Sequence, residues 1–179
     1  MHNNFPKEFY FINTFRKNNI DKLHNNTGII YRNYKKKLNI IEIIKIRDYC
    51  LTKRLKFFLA NNIKIALKLK LNGAYLPSFN KDFRHLSYKV ANSFMLLGSA
   101  HNIKEIRCKE VQNINLIFIS SVFKKNKNYL GIYKFKKLRN LTKKKVIALG
   151  GISKINKKKI GLLECDGFSG ISYFEKKGP

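Results

Sequence analysis

The sequence predicts one α/β domain, a shortened (β/α)8 TIM barrel that spans residues 1–179. Two observations support this fold: eight apolar runs of strand length recur along the chain, and segments with helical spacing lie between them. Alternating strands and helices favour a parallel sheet with crossover helices, and eight repeats favour closure into a barrel over an open sheet. Because such barrels seldom contain fewer than about 200 residues, a smaller and looser fold is the alternative.

Each predicted strand is a short, mostly apolar run, which is typical of a strand buried on both faces. The runs are Phe9–Asn13, Gly28–Tyr31, Leu55–Ala60, Gly73–Leu76, Phe94–Gly98, Leu116–Ser121, Val146–Gly150 and Gly167–Ile171. Eight strands suffice to close a barrel.

Helical spacing of apolar residues is clearest after the second, third and fifth strands. The positions are Ile40, Ile43, Ile44 and Tyr49, then Ile63, Ala66, Leu67 and Leu71, then Ile103 and Ile106. This spacing places apolar residues on one face of a helix, which can pack on the sheet.

The first and last outer helices are predicted to be reduced. Arg16–His24 offers at most a short first helix, and only Tyr173–Pro179 follow the eighth strand. One flank of the barrel would then be thinly covered, and a homo-oligomer is one way to shield it.

The chain is strongly basic, with 38 Lys and Arg residues against 10 Asp and Glu residues and a formal net charge of +28. This charge attracts phosphates, nucleic acids or anionic lipids and does not by itself choose among them. Joint enrichment in Lys, Asn and Ile is also typical of A/T-rich codon usage, which would place lysines on solvated faces. Nucleic-acid binding is less favoured, because no helix-turn-helix, zinc or RNP-like motif is present and the lysines are spread over most predicted helices.

The composition predicts a folded cytoplasmic protein. With 44% apolar and 13% aromatic residues, a domain of this length can bury a sizeable core. Cys50, Cys108 and Cys165 are widely spaced without a C-x-x-C pair, which indicates neither a disulfide framework nor a zinc site and fits a reducing compartment. The N-terminal residues lack a signal-peptide core, and no apolar run approaches the roughly 18 residues of a membrane span, so no membrane partner is expected.

Two glycine-containing strand ends near the C-terminus are the strongest functional feature. Val146–Ile152 ends in GGI, and Asp166–Ser172 contains GFSGIS. Glycines at the carboxyl end of a strand leave backbone N–H groups unshielded, as a bound phosphate requires. The loops after strands seven and eight of such a barrel commonly hold a phosphate, so the two segments are predicted to form one cradle. Glycines that only permit tight turns are the alternative, which accounts for one such loop more readily than for two.

Two further segments accompany this cradle along the chain. Leu96–His101 reads LLGSAH, and Ala66–Leu76 reads ALKLKLNGAYL. Together with the GGI and GFSGIS segments, they resemble the thiamine phosphate synthase and TenI family, whose members carry Ser-x-His at strand five, GGI after strand seven and G-x-x-x-(V/I)-S at strand eight. The resemblance covers nearly the whole chain and rests on four motifs in register, none of which is diagnostic alone.

The resemblance implies a thiamine biosynthesis enzyme that joins hydroxymethylpyrimidine diphosphate to thiazole phosphate with release of diphosphate. It also implies Mg²⁺ as cofactor, held by carboxylates at the leaving group. Here Asn61 stands at the first carboxylate position, and Pro77–Asn80, where the second belongs, contains no acid, so that Asp82 is the nearest candidate. Amides are weaker and uncharged ligands, so these replacements argue against a Mg²⁺ site and no metal ligand is assigned.

Arg32 is predicted to bind the diphosphate. The resemblance places it on a family arginine whose forked donors are suited to grip this group. Ile30 and Tyr34 replace the glutamine and lysine that accompany this arginine in the family, and Lys35 is adjacent. A solvated arginine at a strand end is the alternative.

The loop after strand six is a second source of positive charge. It reads SSVFKKNKN over residues 120–128 and lacks the threonines that the family uses there. Lys125 and Lys127 are predicted as catalytic cations, with Lys124 beside them, because they would supply charge that a lost metal no longer provides. A flexible basic surface loop is the alternative.

Ser99 and His101 are predicted as catalytic residues of the strand-five segment. In the TenI branch, a histidine of this segment is the acid/base group that moves a proton on a thiazole carboxylate phosphate without a metal, and an imidazole suits this task. A strand-end histidine can equally cap the following helix or bond a carbonyl. The other histidines, His2, His24 and His85, are predicted to be surface residues.

Gly150, Gly151, Ile171 and Ser172 are predicted to hold the thiazole phosphate through backbone donors and one hydroxyl. Three hypotheses follow: a thiamine phosphate synthase, a metal-free TenI-type thiazole tautomerase that uses His101, and a non-catalytic basic protein that binds nucleic acid. The synthase is preferred, because the cradle, Arg32 and the basic loop all suit phosphorylated small-molecule substrates.

Overall fold

Eight parallel strands form a closed barrel, which confirms the predicted fold class. The computed structural model describes residues 5–34 and 37–175. The strands are β1 (Glu8–Ile12), β2 (Gly28–Tyr31), β3 (Lys56–Ala60), β4 (Gly73–Leu76), β5 (Met95–Ala100), β6 (Leu116–Ser120), β7 (Lys145–Leu149) and β8 (Gly167–Ser169). Each strand pairs with its neighbours in the sequence, and β8 pairs with β1 to close the ring. All eight carboxyl ends therefore lie at one rim.

The predicted strands agree closely with the observed ones. β2 and β4 have the predicted bounds, and the other ends differ by at most two residues. β8 is shorter than predicted, because Gly170 and Ile171 leave the sheet to begin a helix although they continue the apolar run.

Short helices pack around the described barrel. They are α1 (Lys17–Ile20), α2 (Ile40–Thr52), α3 (Ile63–Lys68), α4 (Ile103–Val111), α5 (Gly131–Asn140) and α6 (Ile171–Phe174). An asparagine precedes α2, α3 and α4, and its side-chain oxygen accepts an N–H hydrogen bond from the first turn. None of the helices within residues 5–34 and 37–175 is long and apolar enough to cross a membrane.

Reduced outer elements explain how a barrel fits into 179 residues. α1 and α6 contain four residues each, which confirms the predicted reduction of the first and last helices. Short 3₁₀ helices at Arg84–Ser87 and Lys157–Leu163 take the place of outer α-helices after β4 and β7.

Aromatic side chains fill the interior of the barrel. Phe9, Phe11, Phe58, Tyr75 and Phe118 belong to one buried cluster inside the ring of strands. Several of these rings pack edge to face: the centroids of Phe9 and Phe118 are 5.0 Å apart, and those of Tyr75 and Phe118 are 5.6 Å apart. The interior is therefore a packed core, and a ligand site must lie at the rim.

A short seam joins β8 to β1. Two residue pairs are in register across it, against five between β6 and β7. The Ser169 Oγ donates a buried hydrogen bond to the Phe9 carbonyl oxygen at 2.7 Å, which reinforces the seam. Gly167 permits the close approach of the two strands, because a Cβ there would collide with the Lys7 carbonyl group.

A buried polar network ties the loop after β4 to α4. Lys109 is completely buried, and its ammonium group donates to the Asn80 carbonyl oxygen and to Gln112 Oε1, each at 2.8 Å. Burial lowers the pKa of Lys109 to about 8, because the charged form loses its hydration. Gly98 makes room for the Lys109 side chain, since a Cβ there would lie 2.9 Å from Lys109 Cδ.

His85 belongs to the same network, and its predicted surface position is wrong. The residue is only 5% exposed, and its Nε2 lies 2.9 Å from the Gln112 carbonyl oxygen. This hydrogen bond satisfies the buried ring, and the partner is a backbone atom far away in the sequence, which a local pattern does not reveal. His24 is exposed, and His2 lies outside the described residues.

Replacing Lys109 by methionine should change how stability depends on pH. The pKa of Lys109 is about 8 in the folded protein, against an ordinary value of 10.5. Between these values the unfolded chain binds more protons, so this lysine makes the free energy of unfolding rise with pH, and the variant lacks this contribution.

Urea unfolding at pH values near the two ends of this window checks the prediction. As the pH rises through this window, the free energy of unfolding of the wild type should increase by at least about 1 kcal/mol more than that of Lys109→Met, since one pKa unit corresponds to about 1.4 kcal/mol. Equal gains in both proteins would contradict the burial of an ammonium group.

Candidate functional site

One cavity at the carboxyl-end rim of the barrel collects most of the predicted site residues. Its volume is about 430 Å³. The lining consists of Phe11, Arg32, His101, Ser120, Ser121, Lys124, Asn126, Asn128, Leu149, Gly150, Gly151, Ile152, Ser169, Gly170, Ile171 and Ser172. The predicted site residues outside this lining are Ser99, Lys125 and Lys127.

The two glycines after β7 adopt backbone conformations that side-chain-bearing residues rarely adopt. The φ angle is +103° at Gly150 and +76° at Gly151. A Cβ at Gly150 would lie 2.5 Å from Ser121 Oγ, and a Cβ at Gly151 would lie 2.5 Å from the Lys124 backbone nitrogen. The loops after β6 and β7 therefore pack directly on each other. The Gly151 N–H donates to none of the described residues, which leaves it available to an anion.

The turn after β8 contacts the turn after β7. A Cβ at Gly170 would lie 2.6 Å from the Ile152 carbonyl oxygen, so glycine is needed for this approach. Ile171 and Ser172 begin α6, and the first N–H groups of a helix have no intrahelical acceptor. Gly170 has no side chain that could cap them. Both glycine-containing strand ends therefore border the same cavity.

Arg32 follows β2 and lies over the aromatic interior. Its guanidinium carbon is 4.6 Å from the centroid of the Phe11 ring, a distance typical of a cation–π contact. Its backbone N–H donates to the Ile12 carbonyl oxygen at 2.7 Å and so extends the pairing of β1 with β2. The guanidinium group forms no ion pair with the carboxylates of the described residues. Its positive charge is therefore available to a ligand.

A histidine–carboxylate pair lies at the end of β5. His101 Nδ1 is 2.9 Å from Glu105 Oε2, and the same oxygen accepts the His101 backbone N–H at 2.7 Å. The Asn102 side chain donates to the other Glu105 oxygen at 3.1 Å. The carboxylate favours a proton on Nδ1, which leaves Nε2 free to accept or deliver a proton. Ser99 is buried, and its side chain lies close to the Tyr75 hydroxyl group in the barrel interior.

The loop after β6 brings Lys124 to the cavity, whereas Lys125 and Lys127 are exposed outside it. Ser121 Oγ donates to the Lys124 carbonyl oxygen at 2.9 Å and so stabilises the first turn of the loop. Arg32 and Lys124 are the cations of the cavity, and its described lining contains no carboxylate. Such a cleft attracts anions.

Five further polar residues of the lining were missed by sequence reasoning: Ser120, Ser121, Asn126, Asn128 and Ser169. Ser120 ends β6 and Ser121 follows it, and this position at the carboxyl end of a buried strand is the signal that could have identified both residues. The asparagines reach the cavity because the loop folds back, with the Asn128 carbonyl oxygen accepting the Ser121 N–H at 2.9 Å. The pattern of residue types along the sequence does not reveal this contact between residues 121 and 128.

The positions at which a metal was expected border a different cavity of about 220 Å³. Asn61, Asn80 and Asp82 line it. Asp82 is held by the Arg84 guanidinium group through both carboxylate oxygens, at 2.6 to 3.0 Å. In the part of the chain that the structure describes, no group of three His, Cys, Asp or Glu side chains could hold a metal ion. This donor set does not fit Mg²⁺.

Lys35, which follows Arg32 closely in the sequence, lies outside the described residues.

Sequence comparison shows what the chain is similar to. A family model described as thiamine monophosphate synthase matches residues 23–174. A thiamine-phosphate synthase from Methanococcus vannielii is 29% identical over 132 residues, which cover 72% of this chain and 62% of the relative. One from Prochlorococcus marinus subsp. pastoris is 30% identical over 119 residues, which cover 64% of this chain and 34% of the relative. The matches therefore span less than two thirds of the length of these relatives.

Structural comparison supports the same fold. A thiamine phosphate pyrophosphorylase from Pyrococcus furiosus superimposes with a TM-score of 0.75 at 21% identity. The superposition covers 95% of this chain and 87% of that one. At this level of identity the likeness shows the barrel fold.

Gly151→Ala should weaken the binding of inorganic phosphate. The added Cβ would lie 2.5 Å from the Lys124 nitrogen, in a backbone conformation that alanine tolerates poorly, so the loop would have to move. Such strain is worth roughly 1–3 kcal/mol, which corresponds to a loss of affinity of about 5- to 150-fold in isothermal titration calorimetry. Gly161→Ala is the matched control, because nothing lies within 4 Å of a Cβ there. Unchanged affinity in Gly151→Ala would contradict the proposed anion site.

Proposed function

Since the chain belongs to the thiamine monophosphate synthase family, we propose that it joins hydroxymethylpyrimidine diphosphate to thiazole phosphate. In this reaction the bond between the pyrimidine methylene carbon and the diphosphate oxygen breaks, and diphosphate leaves with the bonding electrons. The thiazole ring nitrogen then forms a bond to that carbon, which yields thiamine phosphate. The observation that carries the proposal is the meeting of the β7 and β8 ends at one carboxylate-free cavity.

The thiazole phosphate would bind at the glycine-containing strand ends. The Gly151 N–H has no acceptor among the described residues, and Ile171 and Ser172 provide N–H groups at the start of α6. The Ser172 hydroxyl adds a side-chain donor. Several convergent donors of this kind suit a phosphate group.

The diphosphate would lie between Arg32 and the loop after β6. The Arg32 guanidinium offers a planar fork of donors that matches phosphate oxygens, and Lys124 adds a second positive charge. Ser120, Asn126 and Asn128 supply neutral hydrogen-bonding groups around the same space. The cavity therefore has donors for both phosphorylated substrates.

Catalysis would arise mainly from these preorganised donors. Negative charge increases on the diphosphate as its bond to carbon breaks, so cations and N–H groups that are already in place bind the transition state more tightly than the ground state. Holding the thiazole phosphate in the same cavity places the ring nitrogen near the carbon that loses the leaving group.

The synthase proposal predicts product formation by the purified protein from both precursors. Arg32→Lys should lower kcat/KM by about tenfold or more, because a lysine cannot reproduce the forked contact and 1.4 kcal/mol corresponds to a factor of ten. Lys124→Ala should also lower kcat/KM. Lys125→Ala is the matched control, because Lys125 lies outside the cavity, and it should retain nearly full activity. Thiamine phosphate is measured by chromatography, and no product with or without Mg²⁺ would end the proposal.

A metal-free thiazole tautomerase is the second candidate, and the pair of His101 and Glu105 favours it. The Glu105 carboxylate orients the imidazole through Nδ1, so Nε2 could take a proton from one ring carbon of a thiazole carboxylate phosphate and return it at another position. The same strand ends would bind the phosphate group of this substrate.

His101→Ala separates the two candidates. In the tautomerase, this variant should lose isomerisation by about a hundredfold or more while phosphate binding persists, because general acid–base catalysis typically contributes a factor of that size. His24→Ala is the control, since His24 is exposed and lies before β2. Proton exchange followed by NMR measures the reaction, and undiminished turnover in His101→Ala would remove the role assigned to the histidine.

The remaining expectations stay predictions. A cytoplasmic location fits an enzyme that acts on phosphorylated small molecules, and a homo-oligomer would shield the barrel flank beside the short α1 and α6. Nucleic-acid binding stays the least favoured alternative, and steeply salt-dependent binding to RNA would support it.

A further inference from the structure

We propose that the chain binds the diphosphate group of its substrate without a divalent cation, and that a hydrogen-bonded bridge between Asn61 and Asn80 occupies the position of the metal. This inference rests on the proposed function, since it concerns the diphosphate substrate. It follows from the orientation of two side-chain amides, a buried ammonium group behind them and the charge of the main cavity.

The Asn80 side chain directs its N–H₂ group toward Asn61. Asn80 Oδ1 already accepts the Asp82 backbone N–H at 2.9 Å and a Gln112 side-chain N–H at 3.2 Å. These two donors identify the amide oxygen, so the remaining group is a donor, and it bonds Asn61 Oδ1 at 2.7 Å. Both lone pairs of Asn80 Oδ1 are therefore engaged, and Asn61 Oδ1 retains one lone pair of a neutral amide oxygen, which is a weak ligand for Mg²⁺.

The backbone at Asn61 does not by itself require an amide. The residue has a positive φ of 59°, and its N–H donates to the Tyr75 carbonyl oxygen at 2.7 Å. Aspartate tolerates this left-handed conformation as asparagine does. The backbone at position 61 would therefore accept aspartate as well as asparagine. The two residues differ there in charge and in hydrogen bonding.

A fixed positive charge lies directly behind the bridge. Lys109 Nζ is 2.8 Å from the Asn80 carbonyl oxygen, and no described carboxylate pairs with it. In a buried setting this charge is weakly screened, so it opposes the approach of a divalent cation. The nearby carboxylate of Asp82 is engaged by Arg84. The local chemistry therefore disfavours Mg²⁺ at the ends of β3 and β4.

The main cavity supplies the compensating charge. Arg32 and Lys124 line it without a neighbouring carboxylate in the described lining. Two cationic side chains and several neutral donors would offset much of the negative charge of a diphosphate without a metal. The fixed cations would take over the electrostatic task of the ion.

Isothermal titration calorimetry with inorganic diphosphate tests this inference on the full chain. Binding in EDTA should equal or exceed binding in millimolar Mg²⁺, because Mg²⁺ sequesters free diphosphate and adds no contact. Titration of Mg²⁺ alone should give no binding heat. Binding that strengthens tenfold or more with Mg²⁺, or stoichiometric binding of Mg²⁺ alone, would overturn the inference.

A variant that restores carboxylates tests the location. The double substitution Asn61→Asp and Asn80→Asp should make diphosphate binding stronger in Mg²⁺ than in EDTA, and a matched pair, Asn126→Asp and Asn128→Asp, should weaken binding in both conditions. Circular dichroism verifies folding, and the wild-type titration decides the question if the first variant does not fold.

The two proposals fail in different ways. If the affinity for diphosphate is independent of Mg²⁺ but no thiamine phosphate is formed, the proposed function is refuted and this inference stands. Product formation that is lost in EDTA would refute this inference and leave the proposed function standing. No diphosphate binding in either condition would refute the inference as well.

Discussion

The short seam between β8 and β1 is the constraint on which the site depends. Two residue pairs and the buried bond from Ser169 Oγ to the Phe9 carbonyl close the ring. Closure places the turn after β8 beside Phe11 and Arg32, and the contact of Gly170 with Ile152 joins it to the turn after β7. Pairing of β7 with β8 joins the two glycine-containing ends, and the seam brings them to the β1 and β2 side of the cavity, where Phe11 and Arg32 lie.

Charge in this protein is organised on two scales. The net charge of +28 is spread along the sequence and creates a general attraction for anions. The proposed recognition of substrate depends on a few groups. Arg32 and Lys124 line a cavity without a described carboxylate, while most acidic side chains are engaged in ion pairs or hydrogen bonds elsewhere. Carboxylates are also replaced at the ends of β3 and β4. There the neutral side chains of Asn61 and Asn80 form a hydrogen bond with each other, and the Lys109 ammonium group bonds the Asn80 carbonyl oxygen. In the proposed function, the chain is an anion-binding barrel whose cations are side chains of the protein itself.

Apolar patterning predicted the fold well, because strands buried on both faces must be apolar runs and eight of them in one domain favour closure. The same signal misplaced the end of β8, since Gly170 and Ile171 continue the run but begin a helix. The glycine motifs indicated the cavity because backbone geometry there excludes a Cβ. Burial of His85 and Lys109 was not predictable, because each bonds a backbone carbonyl oxygen of a residue distant in the sequence, Gln112 and Asn80 respectively. The choice of Lys124 over Lys125 and Lys127 depends on how the loop folds back, and the pairing of Asn61 with Asn80 joins residues from separate loops.

A crystal structure of the protein with thiazole phosphate tests the central claim most directly, because it locates the phosphate relative to both strand ends. The account predicts that the phosphate oxygens lie within hydrogen-bonding distance, about 2.7–3.2 Å, of the backbone nitrogens of Gly151 and Ser172 in the same molecule. A phosphate bound away from these two strand ends, or contacting only one of them, would contradict the account.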